Sequence, residues 1–185
     1  DRVVAMTTVG GMAEKVVADV SKVIAVPAGL DLEVAACVPT AYGTTLHALR
    51  DRAQLRQGEA LLVLGAAGGV GLSAVQIGKR MGARVIAAAS SAAKLETCRQ
   101  HGADDVIDYA REDFTRSGLL YDVILGVNGY HPLRRYRDCL KPGGRYVMIG
   151  GTGKQMGEAI FLGPFLGRDG KKLAYLDTKP NGERT

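Results

Sequence analysis

Two hydrophobic patterns alternate along this chain. One is the short unbroken apolar run, as at Leu61 to Leu64 and Val85 to Ala89. The other is a spaced series, in which Val70, Ala74, Ile77 and Met81 recur at intervals of four, three and four residues. An unbroken run predicts a parallel strand covered on both faces, and the spaced series predicts one face of a helix. Between them lies Gly65-Ala66-Ala67-Gly68-Gly69-Val70-Gly71, and Gly82 closes the helix before a second strand at Arg84 to Ala89. The product is a strand–turn–helix–strand unit of about 30 residues, the setting in which a glycine-rich turn receives a dinucleotide.

The alternation continues beyond it. A helix over Ala92 to His101 stops at Gly102, and further strands are expected at Val106-Ile107, Tyr121 to Gly126, Arg145 to Ile149 and Leu173 to Leu176. Pro132 opens another helix, Leu140 to Gly144 reads as a turn, and a last helix is expected around Glu158 to Leu166. This order predicts an α/β fold with a Rossmann-type doubly wound parallel six-stranded sheet. Upstream the pattern differs. Val3 to Met6, Ala13 to Val17 and Val23 to Val26 read as short strands of a separate β-rich unit. Asp31 then caps a helical stretch that runs with breaks to Arg56, with Pro39 interrupting it. The expected division is residues 1–34 and residues 35–185.

Composition narrows the function. With 46% hydrophobic and 23% charged residues in a chain of 185, one substantial core is within reach. Cys37, Cys98 and Cys139 show no CxxC spacing, which argues for a reducing, cytoplasmic setting and against a structural zinc site. No apolar run has the length needed to cross a bilayer. A net charge of +5, with three Phe, seven Tyr and no Trp, lacks the basic stripe and interleaved aromatics of a nucleic-acid binder. An anionic cofactor accounts for the excess charge equally well.

Aligned on Gly71, the fingerprint reads Ala66-x-Gly68-x-x-Gly71, with alanine at the first glycine position and Gly65 one residue too early to replace it. The N–H groups opening the helix cradle a pyrophosphate, and a side chain at Gly68 or Gly69 would crowd that approach. A protein that selects NAD places an acid about 20 residues after the turn, on the ribose hydroxyls. Here the second strand ends Ala88-Ala89-Ser90-Ser91, followed by Lys94. Two hydroxyls and an ammonium would bind the 2′-phosphate that an acid would repel, each charge-assisted hydrogen bond contributing about 1.5–3 kcal/mol. NADPH is therefore the expected cofactor. The competing reading makes Lys94 a solvated residue in the first turns of a helix.

Five segments carry a resemblance: Ala35 to Thr44, Leu55 to Glu59, Ala66 to Gly71, His101 to Tyr109, and Leu140 to Arg145. Together they resemble the medium-chain dehydrogenase/reductase superfamily, most closely its zinc-independent NADPH:quinone oxidoreductase branch, where alanine at the first fingerprint position is common. The likeness covers most of the chain and weakens after Gly150. It implies a GroES-like β-barrel carrying the substrate site, and a nucleotide-binding domain beside it. Residues 1–34 then correspond to a remnant of the barrel, and the chain to part of a longer protein that also lacks the family's closing segment after Thr185. Open sheet edges predict that residues 1–26 are disordered, swapped or paired with another chain.

The resemblance also implies residue roles. Thr40 lies near the nicotinamide carboxamide; Ala67, Gly68, Gly69 and Val70 meet the pyrophosphate; Ser90, Ser91, Lys94 and Tyr109 surround the adenosine 2′-phosphate. Val127 and Asn128 follow the fourth strand, where ligands enter a doubly wound sheet, and Gly150 and Gly151 let backbone approach the nicotinamide ribose. Local alternatives stay open: Thr40 bonding within its own turn, Tyr109 packing on a helix edge, Asn128 capping the helix at Pro132. No acid–base residue is assigned, since hydride transfer needs mainly alignment, dryness and a polarised acceptor. His47, His101 and His131 are scattered, and Cys37 lies one position from a ligand site of zinc-dependent relatives with no partner set, so no catalytic metal is expected. The expected reaction transfers a hydride from NADPH to a quinone or an α,β-unsaturated carbonyl. Alternatives are an enoyl-thioester reductase, a zinc-type alcohol dehydrogenase, a non-catalytic nucleotide-binding module, and a methyltransferase, where Leu-Lys-Pro-Gly-Gly also occurs. Relatives often form homodimers through their sheet edges.

Overall fold

The structure, a computed structural model, describes residues 1–129 and 131–176. At the start, β1 (Val3–Ala5) pairs antiparallel with β2 (Val23–Ala25). These two strands form a two-stranded sheet of their own, separate from the six-stranded one. Residues 13–17 form no strand. Val16 and Val17 are exposed there, so no buried face holds that segment extended.

The Asp31 carboxylate accepts the Glu33 N–H at 2.7 Å and opens a helical rod that continues to Arg52. Its parts are α1 (Leu32–Cys37), a π-helical stretch at Val38–Tyr42, α2 (Gly43–Leu46), and a second π-helical stretch at His47–Arg52. Pro39 was expected to break the rod. It sits instead at the start of the first wide turn, where its missing N–H and its ring are accommodated without stopping the helix.

Six strands follow: β3 (Ala60–Leu64), β4 (Arg84–Ala89), β5 (Asp105–Asp108), β6 (Tyr121–Gly126), β7 (Leu140–Met148) and β8 (Lys172–Tyr175). All neighbours are parallel, in the order β5-β4-β3-β6-β7-β8. This is the Rossmann order, with a switch point between β3 and β6. The helices are α3 (Gly69–Arg80), α4 (Ala92–Gln100), α5 (Leu133–Asp138), α6 (Gly153–Phe161) and α7 (Gly163–Leu166). The segment expected as a turn, Leu140 to Gly144, belongs to β7. Tyr121 pairs with Leu140 and Val123 with Arg145, so the intervening residues bulge out of the ladder. The last helix begins earlier than expected because Thr152 and Gln155 cap α6 reciprocally, and it is followed by a separate α7.

Strand alternation divides the core into two layers. Leu61, Val63, Val85, Ala87, Val123 and Leu125 pack with Ala74 and Val75 of α3 and with Ala48 and Leu49 of the helical rod. Leu62, Leu64, Ile86, Ala88 and Ile124 pack on the other face with Leu133 and Tyr136 of α5 and Ala159 of α6. Both faces being covered is why these strands read as unbroken apolar runs.

Charge pairs fasten the amino ends of the strands. Arg145 donates to both Glu59 oxygens (2.7 and 2.8 Å), to the Ala53 carbonyl (2.6 Å) and to the Gln54 carbonyl (2.9 Å). Asp122 accepts from Lys141 (2.7 Å) and from the Ala60 N–H (2.8 Å). Burial pushes both carboxyls up, but side-chain hydrogen bonds from Arg145 and Lys141, backbone hydrogen bonds from Arg56 and Ala60 and the charge of the nearby cations together outweigh it and hold Glu59 and Asp122 below their usual values. A carboxyl depressed in the folded state contributes stability above its unfolded pKa and loses it as pH falls through the folded one. Urea denaturation across pH should therefore show stability falling from about pH 4.5 downwards. Glu59→Gln should cost about 2 kcal/mol at neutral pH and flatten part of that acid limb.

Candidate functional site

Parallel pairing brings the carboxyl ends of β3, β4, β6 and β7 together around the turn at 65–70, where a doubly wound sheet opens its crevice. Gly65 has φ +74°, a left-handed conformation that favours glycine, and a Cβ there would stand 3.2 Å from that of Asn128. The sequence reading discarded Gly65 for its position; its role is to turn the chain beside the β6 loop. At Gly71 an added Cβ would fall onto the Gly65 carbonyl oxygen and lie 2.6 Å from Ala66 Cα. Helix α3 therefore rests directly on the backbone that ends β3. At Gly69 a Cβ would meet nothing within 4 Å, and at Gly68 only the Gly65 oxygen at 3.9 Å.

Helix α3 begins without a cap. Gly68 is its N-cap and supplies no side chain, and the Leu72 N–H bonds back to the Gly68 carbonyl at 2.7 Å. The N–H groups before Leu72 have no intrahelical acceptor and carry the positive end of the helix dipole. Open space, bare amides and positive potential together fit the diphosphate of a dinucleotide.

The residues named from sequence fall into two groups on either side of this turn. On the β4 side, Lys94 Nζ lies 3.3 Å from Ser90 Oγ, and the Tyr109 N–H bonds to the Ala89 carbonyl at 3.1 Å. Ser91 is the N-cap of α4, with no side-chain cap bond. On the β6 side, the Val127 N–H bonds to the Leu64 carbonyl at 3.2 Å, which docks this loop on the end of β3. A Cβ at Gly150 would stand 2.7 Å from the Val127 oxygen, and one at Gly151 would stand 2.9 Å from Gln155 Oε1. Gly151 thus sits at the edge of the group, against the first turn of α6. Thr40 is exposed in the first π-helical stretch, and its neighbour Ala41 accepts a hydrogen bond from Ser73 Oγ of α3 at 3.1 Å.

Two supporting features escaped the sequence reading. Thr45 and Ser73, both fully buried, face each other at 2.7 Å and also reach the Val70 carbonyl, tying the helical rod to the start of α3. Their sequence signal is two hydroxyls on otherwise apolar helix faces. The rings of Tyr136 and Tyr146 stack at 4.7 Å beneath the β6 loop, where the Tyr136 hydroxyl accepts the His131 N–H at 2.9 Å. A Cβ at Gly126 would stand 2.6 Å from Tyr146 Oη, so the phenol fixes glycine at the end of β6. Burial pushes the Tyr146 phenol well above its ordinary pKa.

The comparisons agree with this geometry. Residues 69–174 match the family model described as zinc-binding dehydrogenase, so the chain belongs to that family within the medium-chain dehydrogenase/reductase superfamily, on its quinone oxidoreductase-like branch. It is similar to a quinone oxidoreductase of Pseudomonas aeruginosa, 37% identical over 81% of this chain and 48% of the relative. Among solved structures, it is similar to the quinone oxidoreductase of Thermus thermophilus, determined with and without NADPH (TM-score 0.72, 37% identity, 79% of this chain, 48% of that one). It is also similar to the nucleotide-binding subdomain of the enoylreductase domain of PpsC from Mycobacterium tuberculosis (TM-score 0.63, 32% identity, 74% of this chain, 79% of that one). The chain spans about half the length of the curated quinone oxidoreductase relatives it matches. Among the described residues no group of three or more His, Cys, Asp or Glu could hold a metal ion. The residues described therefore do not fit the zinc in the family's description.

The two glycines at positions 69 and 71 should separate by their effect on stability. Gly71→Ala should cost about 3 kcal/mol or more, because the only atoms that can yield are backbone. Gly69→Ala should leave the thermal midpoint unchanged or slightly raised, since alanine favours the helix by up to about 1 kcal/mol. Thermal and urea denaturation check both.

Proposed function

We propose that this chain is the nucleotide-binding part of an NADPH-dependent oxidoreductase that transfers a hydride to a quinone or an α,β-unsaturated carbonyl. The observation that carries the reading is the uncapped, unobstructed helix start at Gly68–Val70, with the Ser90–Lys94 pair beside it. Ala67 to Val70 would hold the diphosphate. Ser90, Ser91, Lys94 and Tyr109 would take the 2′-phosphate, and Thr40, Val127, Asn128, Gly150 and Gly151 the nicotinamide end. Bound NADPH supplies the hydride from C4 of its nicotinamide. The chain's own residues bind the cofactor, orient its ring and keep one side of it dry, and no side chain is assigned a proton.

One acid stands nearby. Asp108 pairs in register with Ala89, but its carboxylate accepts the Ala110 N–H at 3.0 Å and lies 3.6 Å from Arg111 Nε. Its charge is answered locally, which leaves Ser90 and Lys94 free to favour a phosphate. The likeness to a quinone oxidoreductase supports quinone as acceptor, and the likeness to an enoylreductase subdomain supports an enoyl thioester as the second reading. The same proposal takes residues 1–34 as part of the substrate domain, a homodimer as the assembly, and a reducing compartment such as the cytoplasm for the free thiols of Cys37, Cys98 and Cys139.

Calorimetric titration tests the cofactor. Lys94→Ala should weaken NADPH about ten- to a hundredfold and leave NADH nearly unchanged. Equal losses for both nucleotides would remove the 2′-phosphate assignment, and binding of neither by the unmodified chain would remove the reading.

A further inference from the structure

A second concave site lies at the opposite end of the sheet. Glu59 precedes β3, Asp122 lies near the start of β6, Arg145 belongs to β7, and Lys172 opens β8. With Arg52 and Arg56 from the segment before β3, they line a cavity of about 330 Å³ at the amino ends of the strands. A strand of five residues separates this end from the nucleotide crevice by about 15 Å.

The charges lining the cavity are not balanced. Both carboxylates are already committed, Glu59 to Arg145 and Asp122 to Lys141 and the Ala60 N–H. Among the described residues, Arg52, Arg56 and Lys172 take part in no ion pair. Arg145 and Lys172 are also direct partners across the β7–β8 ladder, so two cations stand side by side on one face. Glu59 already answers Arg145 there, so Lys172 is the unanswered charge of the pair. The β7 bulge, with Gly143 and Gly144, leaves one wall without side chains.

We propose that this cavity binds a small polyanion bearing phosphate or carboxylate groups, independently of the nucleotide crevice. Arg52, Arg56 and Lys172 supply the charge, and Arg145, held by Glu59, forms the floor. The anion answers the excess charge of Arg52, Arg56 and Lys172 and, through Lys172, holds the start of β8.

Calorimetry and thermal denaturation of the 185-residue chain test this, using inorganic pyrophosphate and citrate as separate probes, each with and without saturating NADPH. The expected result is one saturable site for at least one probe that persists when NADPH is present, together with a raised thermal midpoint. Preference for pyrophosphate or citrate identifies the ligand as phosphate or carboxylate. Arg52→Gln combined with Lys172→Gln should weaken that binding at least about tenfold while leaving NADPH affinity and the thermal midpoint without anion unchanged. Neither substitution removes an ion pair, so the variant should fold. No saturable binding of either probe, or equal binding by the double variant, would overturn the site and leave only solvated surface cations. Failure of NADPH to bind would sink the proposed function alone, because the anion titration and its double variant are read without it.

Discussion

Helix α3 lies directly on backbone where it meets the end of β3. Gly71 has no room for a single carbon between itself and the Gly65–Ala66 peptide. That contact aims the helix axis at the switch point between β3 and β6, and thereby decides where bare N–H groups emerge. The rest of the crevice is arranged around it. The Thr45–Ser73 hydroxyl pair clamps the helical rod against the same first turns, and the β6 loop hangs from the Leu64 carbonyl beside Gly65. Packing at one glycine thus positions an electrostatic feature in the same helical turn, without any charged side chain taking part.

The two ends of the sheet are built on different chemistry. The amino ends are tied by ionic hydrogen bonds in which every carboxylate oxygen named has a cation or an amide as partner. The carboxyl ends around the turn are held by main-chain hydrogen bonds, two buried hydroxyls and stacked phenols. Placing the strong ion pairs at the far end keeps fixed charge away from the place where a dianionic diphosphate would sit. Acid therefore weakens the fastening of the strands, because the fold favours the ionised forms of Glu59 and Asp122, as it does that of Asp104 beside Lys79 and the Val85 N–H.

Much of this was legible in the residues. Leu61 to Leu64 and Val85 to Ala89 announced buried parallel strands because both faces of the sheet are covered, and the four-three-four spacing after Gly69 announced α3. The errors share a physical cause. Pro39 looked like a helix stop because local rules assume a regular α-turn, whereas a wider turn admits it. Leu140 to Gly144 looked like a turn because Pro-Gly-Gly is turn chemistry, and pairing of Leu140 with Tyr121 drew it into the ladder. Gly65 looked misplaced because the fingerprint counts positions, while its left-handed φ and its contact with Asn128 exist only in three dimensions. The Tyr136–Tyr146 stack had no signal at all, since nothing in a linear sequence says that a ring on a helix and a ring on the next strand will lie parallel.

A grip of main-chain amides, as proposed at Gly68–Val70, would be indifferent to most side chains. Such a module can be inherited whole and joined to different acceptor pockets. Its chemistry would then be chosen by whatever neighbours it, much as one handle serves many blades.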